Sequence, residues 1–143
     1  MSQLFINPYL NFSGHAREAM EFYHKALGGQ LDLQAFDPNG APKPAEGDDA
    51  IMHSRLEADG AIIMATDGMP GQTAPVGENV SIALGGTDAP RLRKIFAELS
   101  EGGKVEMPLK VESWGDEYGQ FTDKFGIQWM VNISKDDSEN EKA

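Results

Sequence analysis

One succession of patterns runs through this chain twice, and few folds accommodate such a duplication. Residues Ile6–Phe12 (INPYLNF) alternate in the manner of a strand, and Ser13-Gly14 break the pattern. A helix is then expected from about His15 to Leu27. Its apolar residues Ala19, Phe22, Tyr23 and Ala26 fall at i, i+3, i+4 and i+7, one stripe of a helix, and Gly28-Gly29 stop it. The second half repeats the plan. Val80–Leu84 alternates as a strand, Thr87-Asp88 offers a capping side chain, and Pro90 suits a first helical turn. Leu92, Ile95, Phe96 and Leu99 reproduce the stripe at the same spacing, and Gly102-Gly103 end that helix.

Each half then offers three more strands. In the first they are Gln30–Phe36, Ile51–Glu57 and Ala61–Thr66, the last two joined by a turn at Asp59-Gly60. In the second they are Lys104–Val111, Tyr118–Thr122 and Ile127–Ile133, with a turn around Phe125-Gly126. The fold class is therefore α+β, built from two tandem βαβββ modules. The first module is expected over 1–68, a connection over 69–78 and the second module over 79–133, all within one structural domain. Residues 134–143 lack apolar periodicity and are expected to form a disordered tail. The Pro-, Gly- and acid-rich stretch Asp37–Asp49 reads as an unpatterned solvated loop, with a lid as the alternative.

Composition narrows the function classes. Twelve basic against 23 acidic residues leave a net charge of −11, which opposes binding to phosphate-rich nucleic acid. That balance serves solubility first, and it suits a cationic small molecule better than an anionic one. No cysteine is present, so disulfides, thiolate metal sites and cysteine nucleophiles are all absent, in keeping with a reducing cytoplasm. No signal-like segment opens the chain, and no run approaches the roughly 20 apolar residues of a membrane helix. A cytoplasmic protein with no membrane partner is expected.

Two stretches carry more than pattern. Asn7-Pro8-Tyr9-Leu10-Asn11-Phe12 followed by Glu18-Ala19-Met20-Glu21-Phe22-Tyr23 resembles the opening strand and helix of the vicinal-oxygen-chelate superfamily, which includes glyoxalases and bleomycin-resistance proteins. Trp114-Gly115-Asp116-Glu117-Tyr118-Gly119 and Asp123-Lys124-Phe125-Gly126-Ile127-Gln128-Trp129 resemble its PhnB-like branch, as do His53-Ser54-Arg55-Leu56 and Met64-Ala65-Thr66-Asp67. The resemblance spans residues 4 to 133. It implies curved mixed sheets around a cavity and a homodimer. It also implies any of several functions, among them metal-dependent isomerases and dioxygenases, thiol transferases and metal-free drug-binding proteins. Some relatives are labelled ubiquinone-pathway methyltransferases, but no glycine-rich strand-to-helix turn suited to a methyl donor occurs here.

Metal-using relatives place His or Glu on the first and last strands of each module, because a divalent ion needs converging nitrogen and oxygen donors plus open positions for substrate. The last-strand positions fall here at Met64 and Met130, each four residues beyond a turn glycine, Gly60 and Gly126. On the second module's first strand the position falls at Ser81. On the first strand, counting back from the helix gives Pro8, and allowing one inserted residue gives Asn7; strand alternation favours Asn7. An amide, a hydroxyl and two thioethers do not make a site for a hard divalent cation. No metal and no cofactor are expected.

Among the remaining polar groups, His15 and His24 fall outside the helix stripe and read as surface residues. His53 and Arg55 share a strand face with Ile51 and Glu57, opposite Met52, Ser54 and Leu56. If the latter set packs on the helix, His53 and Arg55 point toward the ligand side as candidate base and anion holder. The plainer alternative pairs Arg55 with Glu57 or Asp67. Trp114, in a glycine- and acid-bearing loop, either stacks on a ligand or anchors a loop or dimer contact. Trp129 has the opposite phase to Met130 and is expected in the core. Asn7, Tyr9, Asn11, Ser81, Gln128 and Asn132 share the ligand-facing phase with Met64 and Met130, a neutral hydrogen-bonding lining. Gly85-Gly86-Thr87 permits a phosphate contact at a helix start, although a tight turn explains it with less. Three readings follow: a small-molecule-binding protein without metal, a metal-independent enzyme using His53 and Arg55 on a small carbonyl or phosphonate-like substrate, and an interaction protein whose cavity is closed.

Overall fold

A computed structural model describes residues 6–68, 75–77 and 79–135. The chain divides into two compact units, Met1–Pro75 and Val76–Ala143. The first contains β1 (Tyr9–Asn11), α1 (Ala16–Leu27), β2 (Gln30–Phe36), β3 (Pro42–Pro44), β4 (His53–Ala58) and β5 (Ala61–Thr66). The second contains β6 (Ser81–Gly86), α2 (Ala89–Ser100), β7 (Lys104–Val111), β8 (Glu117–Thr122) and β9 (Gln128–Ile133). The repeat read from the sequence is present, as a five-stranded sheet in order β1-β5-β4-β2-β3 and a four-stranded sheet in order β6-β9-β8-β7. In each sheet the first strand of the module runs parallel to the last. The charged terminal stretch expected to be a tail lies, from residue 136 on, outside the described residues, as does most of the expected connection.

Both helices bury one face on their own sheet. In the second module Leu92, Ile95, Phe96 and Leu99 are all buried, as the spacing requires, against Phe121, Trp129, Val131 and Ile133. Phe96 meets Phe121 edge-on at 5.0 Å, and Phe121 stacks on Trp129 at 6.2 Å. In the first module the buried stripe is Ala16, Ala19, Met20 and Tyr23. It keeps the expected spacing but starts one turn earlier than the stripe read from the sequence, and Phe22 and Ala26 are only half-buried. Ala16 and Met20 displace them because β1 enters so close to the helix start that Phe12 packs on Tyr23, 6.2 Å between ring centres.

Other departures have local causes. The first strand is three residues long, shorter than Ile6–Phe12, because pairing with β5 runs only from Tyr9↔Met64 to Asn11↔Thr66. The segment expected to be an unpatterned loop contains β3, paired antiparallel to β2 from Phe36↔Pro42 to Gln34↔Pro44. Two prolines hid this strand, and they are tolerated because β3 lies at the sheet edge, where a missing N–H breaks no ladder. The turn before it is organised by Asp37, whose carboxylate accepts N–H bonds from Asn39 and Ala41. Ile51 is fully buried and precedes its strand, so it does not share the open face of His53. The Asp59-Gly60 turn is as expected: both residues have positive φ (51° and 84°), the two-residue hairpin geometry that fits the twist of its strands.

The two helices are capped differently. Asp88 caps α2 by accepting the Arg91 N–H at 3.3 Å. The N-cap of α1 is His15, which makes no capping bond with its side chain. Asp67, just beyond β5, does that work from 51 to 53 residues away: one oxygen accepts the N–H groups of Gly14 (2.9 Å) and Ala16 (2.8 Å), the other that of Ile51 (2.9 Å). A carboxylate holding three amides at a helix N-terminus is a strong clamp. Asp67→Ala is expected to cost about 2–3 kcal/mol, read as a lower midpoint in denaturant with faster amide exchange in the first turn of α1.

Candidate functional site

Strand alternation gives each sheet one face toward its helix and one face away from it. Ser54 and Leu56 are buried on the helix side of β4, which turns His53, Arg55 and Glu57 outward. On that outward face Tyr9, Met64 and Arg55 stand side by side across β1, β5 and β4. The next row brings Asn11 beside Thr66, with His53 opposite Gln34. Asn7 lies just before the short β1.

The sequence offered His53 no orienting partner, and the structure supplies one. The Tyr9 hydroxyl lies 3.1 Å from His53 Nδ1, with the rings 5.8 Å apart. The phenol donates to Nδ1 or accepts from it according to the imidazole tautomer, and either way the contact fixes the orientation of the ring. The Arg55 guanidinium pairs through Nη1 with Glu57 at 3.1 Å, while Asp67, the other acid considered for it, is taken by backbone amides. His24, half-buried at the surface, has its Nε2 3.1 Å from the Gly29 carbonyl and ties the end of α1 to the following turn.

In the second module the helix side of β9 carries Trp129, as expected. It is 1% exposed, and its indole N–H is held by Asp123 at 2.9 Å. The outward face carries Gln128, Met130 and Asn132 on β9, Ser81 and Ala83 on β6, and Tyr118 and Gln120 on β8. These side chains form one network. Gln120 Nε2 donates to the Tyr118 hydroxyl at 2.8 Å, and that hydroxyl donates to Met130 Sδ at 3.6 Å. The Ser81 hydroxyl reaches Gln128 Oε1 at 3.5 Å, and Asn132 Nδ2 donates to Asp116 at 2.9 Å. Trp114 is 59% exposed and meets Tyr118 edge-on at 6.0 Å. Tyr118 and Gln120 were not among the residues singled out from the sequence, although alternation through Tyr118, Gln120 and Thr122 marks them once the phase of β8 is known. At the rim Arg93 pairs with Glu117 and holds that carboxyl below its usual range, so this pair is lost only as acid titrates Glu117.

The two registers match. Met64 lies opposite Tyr9 and Arg55; Met130 lies opposite Ala83 and Gln120. Ser81 stands two residues before Ala83, as Asn7 stands two before Tyr9. Asn7, Met64, Ser81 and Met130, the residues that the resemblance sets against the superfamily's metal positions, carry an amide, thioethers and a hydroxyl, donors that do not fit a divalent ion. Among the described residues no group of three or more His, Asp and Glu side chains is placed to hold one.

Residues 5–132 match the model of the 3-demethylubiquinone-9 3-methyltransferase family. The chain belongs to that family. This is the PhnB-like branch of the superfamily noted above, and a glyoxalase-related enzyme from Fulvimarina pelagi shares the fold, with a TM-score of 0.55 at 16% identity over 93% of this chain and 89% of that one. Protein YjdN of Escherichia coli (strain K12) is 30% identical over 142 residues, covering 91% of this chain and 95% of that one. The crystal structure of PA1353 from Pseudomonas aeruginosa superposes with a TM-score of 0.79 at 40% identity, covering 94% of this chain and all of the other. A putative 3-demethylubiquinone-9 3-methyltransferase, PhnB protein, from Bacillus cereus shares the fold, with a TM-score of 0.72 at 23% identity over 92% of this chain and 100% of that one. No helix among the described residues is long and apolar enough to cross a membrane.

Proposed function

We propose that this family member is a small-molecule-binding protein whose ligand contacts a helix-free sheet face without a bound divalent ion. The observation that carries this reading is the matched placement of Met64 and Met130, each on the last strand of its module with strand partners on both sides. Thioethers there exchange a charge-bearing site for a polarizable, apolar contact. Asn7, Tyr9, Asn11, Ser81, Trp114 and Gln128 are uncharged hydrogen-bonding or aromatic groups, and the one cation beside Met64, Arg55, is paired with Glu57, which suits recognition more than ionic chemistry. The net charge of −11 adds a bias toward neutral or cationic ligands. Methyl transfer, the activity in the family's name, is less well supported. The glycines that precede the two helices, Gly14 and Gly85-Gly86, lie before helix starts whose amides already bond a carboxylate, Asp67 for α1 and Asp88 for α2.

The test is a thermal-shift and calorimetric screen of the full chain against neutral, cationic and anionic metabolites, with manganese, nickel and zinc alongside. Saturable stabilisation by an organic ligand, undiminished by a chelator, is expected. Stoichiometric binding of one of those metals with no organic hit sinks the reading.

A second reading is favoured by the Tyr9–His53 contact: a metal-independent enzyme in which this pair moves a proton on a small carbonyl or phosphonate-like substrate. The Arg55–Glu57 pairing weakens the anion-holding half of it. If this reading holds, Tyr9→Phe and His53→Gln abolish turnover of a substrate that still binds; equal turnover by both variants rules it out. The third reading, a closed and purely packed interior, is least supported, because the face around Met130 is built from polar side chains.

A further inference from the structure

We propose that the helix-free face of the second module recognises an uncharged planar ligand with an amide edge, a cyclic lactam or imide, stacked on Trp114. This rests on the small-molecule-binding reading above and names the ligand class for that face.

The inference follows from counting hydrogen-bonding capacity. Three carboxamides flank Met130: Gln120 directly across from it on β8, and Gln128 and Asn132 two residues either side of it on β9. Each is half engaged. Gln120 spends an N–H on Tyr118, leaving its carbonyl oxygen; Asn132 spends its N–H on Asp116, likewise leaving Oδ1. Gln128 accepts from Ser81 through Oε1, leaving its N–H donors. The face therefore offers acceptors and donors together, and no formal charge. The natural complement of a carboxamide is another amide edge, whose in-plane N–H and C=O form two parallel bonds with it.

Shape and charge point the same way. Where the first module places Tyr9 opposite Met64, this one places Ala83 opposite Met130, and Gly85 lies beside Asn132. That leaves room for a ring over the β6 side of the face. Trp114, exposed and held edge-on by Tyr118, presents an indole face for stacking. Three carboxylates around this face are already engaged, Asp116 by Asn132, Glu117 by Arg93 and Glu106 by Thr122; the Oε2 of Glu112 is buried away from a ligand, 3.9 Å from Lys110 and without a hydrogen-bond partner. The acidity of the whole chain is therefore not focused here, and a cation gains less on this face than an amide does.

The experiment uses the full chain and four small probes: isoindolinone, its N-methyl derivative, the N,N-dimethylisoindolinium cation and phthalate. Affinity is measured by calorimetry, and stacking by the emission of Trp114, the exposed one of the chain's two tryptophans. Isoindolinone is expected to bind and change that emission. Removing its donor by N-methylation is expected to weaken it about ten-fold, as are Trp114→Ala and Gln120→Ala, while Trp114→Phe retains most of the affinity. Tighter binding of the cation or of phthalate, or lactam binding indifferent to both alanine variants, overturns the ligand class and leaves small-molecule binding standing. So does a hit from the wider screen when none of the four probes binds. Absence of any hit in both experiments overturns the ligand class and the binding reading together.

Discussion

Asp123→Ala is expected to be among the most destabilising single changes outside the apolar core, costing about 3–5 kcal/mol. Asp123 sits in the turn between β8 and β9 and is 3% exposed. Its Oδ1 accepts the backbone N–H groups of Phe125 (2.9 Å) and Ile127 (3.0 Å), and its Oδ2 accepts the indole N–H of Trp129 (2.9 Å). One carboxylate thus sets the turn and orients the largest side chain of the second core. Removing it takes an ionised acceptor away from three donors in a place with little access to water, so the desolvation cost is not recovered. Equilibrium unfolding in urea measures the loss. A Trp114→Phe background leaves Trp129 as the only tryptophan, so its emission and near-ultraviolet circular dichroism report the local effect. Asp123→Asn, which keeps an acceptor but not the charge, is expected to lose about half as much. Equal stability of the alanine variant and the parent contradicts this account of the turn.

Gly29→Ala and Gly103→Ala are expected to damage the two modules equivalently, by about 3–5 kcal/mol each. These glycines follow the helices and begin the descent into β2 and β7. A Cβ at Gly29 overlaps the Glu57 carbonyl oxygen and comes within 2.8 Å of Ala58 Cα; one at Gly103 overlaps the Thr122 carbonyl oxygen and comes within 2.8 Å of the Asp123 carbonyl carbon. The obstacles are backbone atoms of paired strands, so nothing flexible can yield. Gly29 also has φ of 84°, which adds conformational strain for alanine, and its variant should be the worse of the two. Gly28→Ala makes a useful contrast. Gly28 also has positive φ (75°), but a methyl group there would meet nothing within 4 Å, so its cost is expected to be about 1 kcal/mol. Comparable losses at Gly28 and Gly29 show that close approach is not the cause.

Much of the fold was legible because it is carried by local signals repeated in order. The β2, β5 and β7 spans match the periodicity, the Asp59-Gly60 turn has the geometry its residues favour, and the α2 stripe and Asp88 cap stand where spacing put them. The site was legible only as a list of phases. Alternation correctly put His53 and Arg55 on the opposite side from Ser54 and Leu56, and Trp129 opposite Met130. It did not show that Tyr9 reaches His53, which of Glu57 and Asp67 pairs with Arg55, or that Tyr118 and Gln120 join Met130 in one network.

The amino-acid sequence by itself determined the duplicated α+β plan and the family, because residue identity and spacing suffice for each. Tertiary structure decided the partners. Asp67 caps a helix 51 residues before it, β3 forms in spite of its prolines because it found an edge, and three carboxamides became half-satisfied neighbours. Each of these depends on strand register, which is set by long-range pairing and core burial. No window of sequence contains that information.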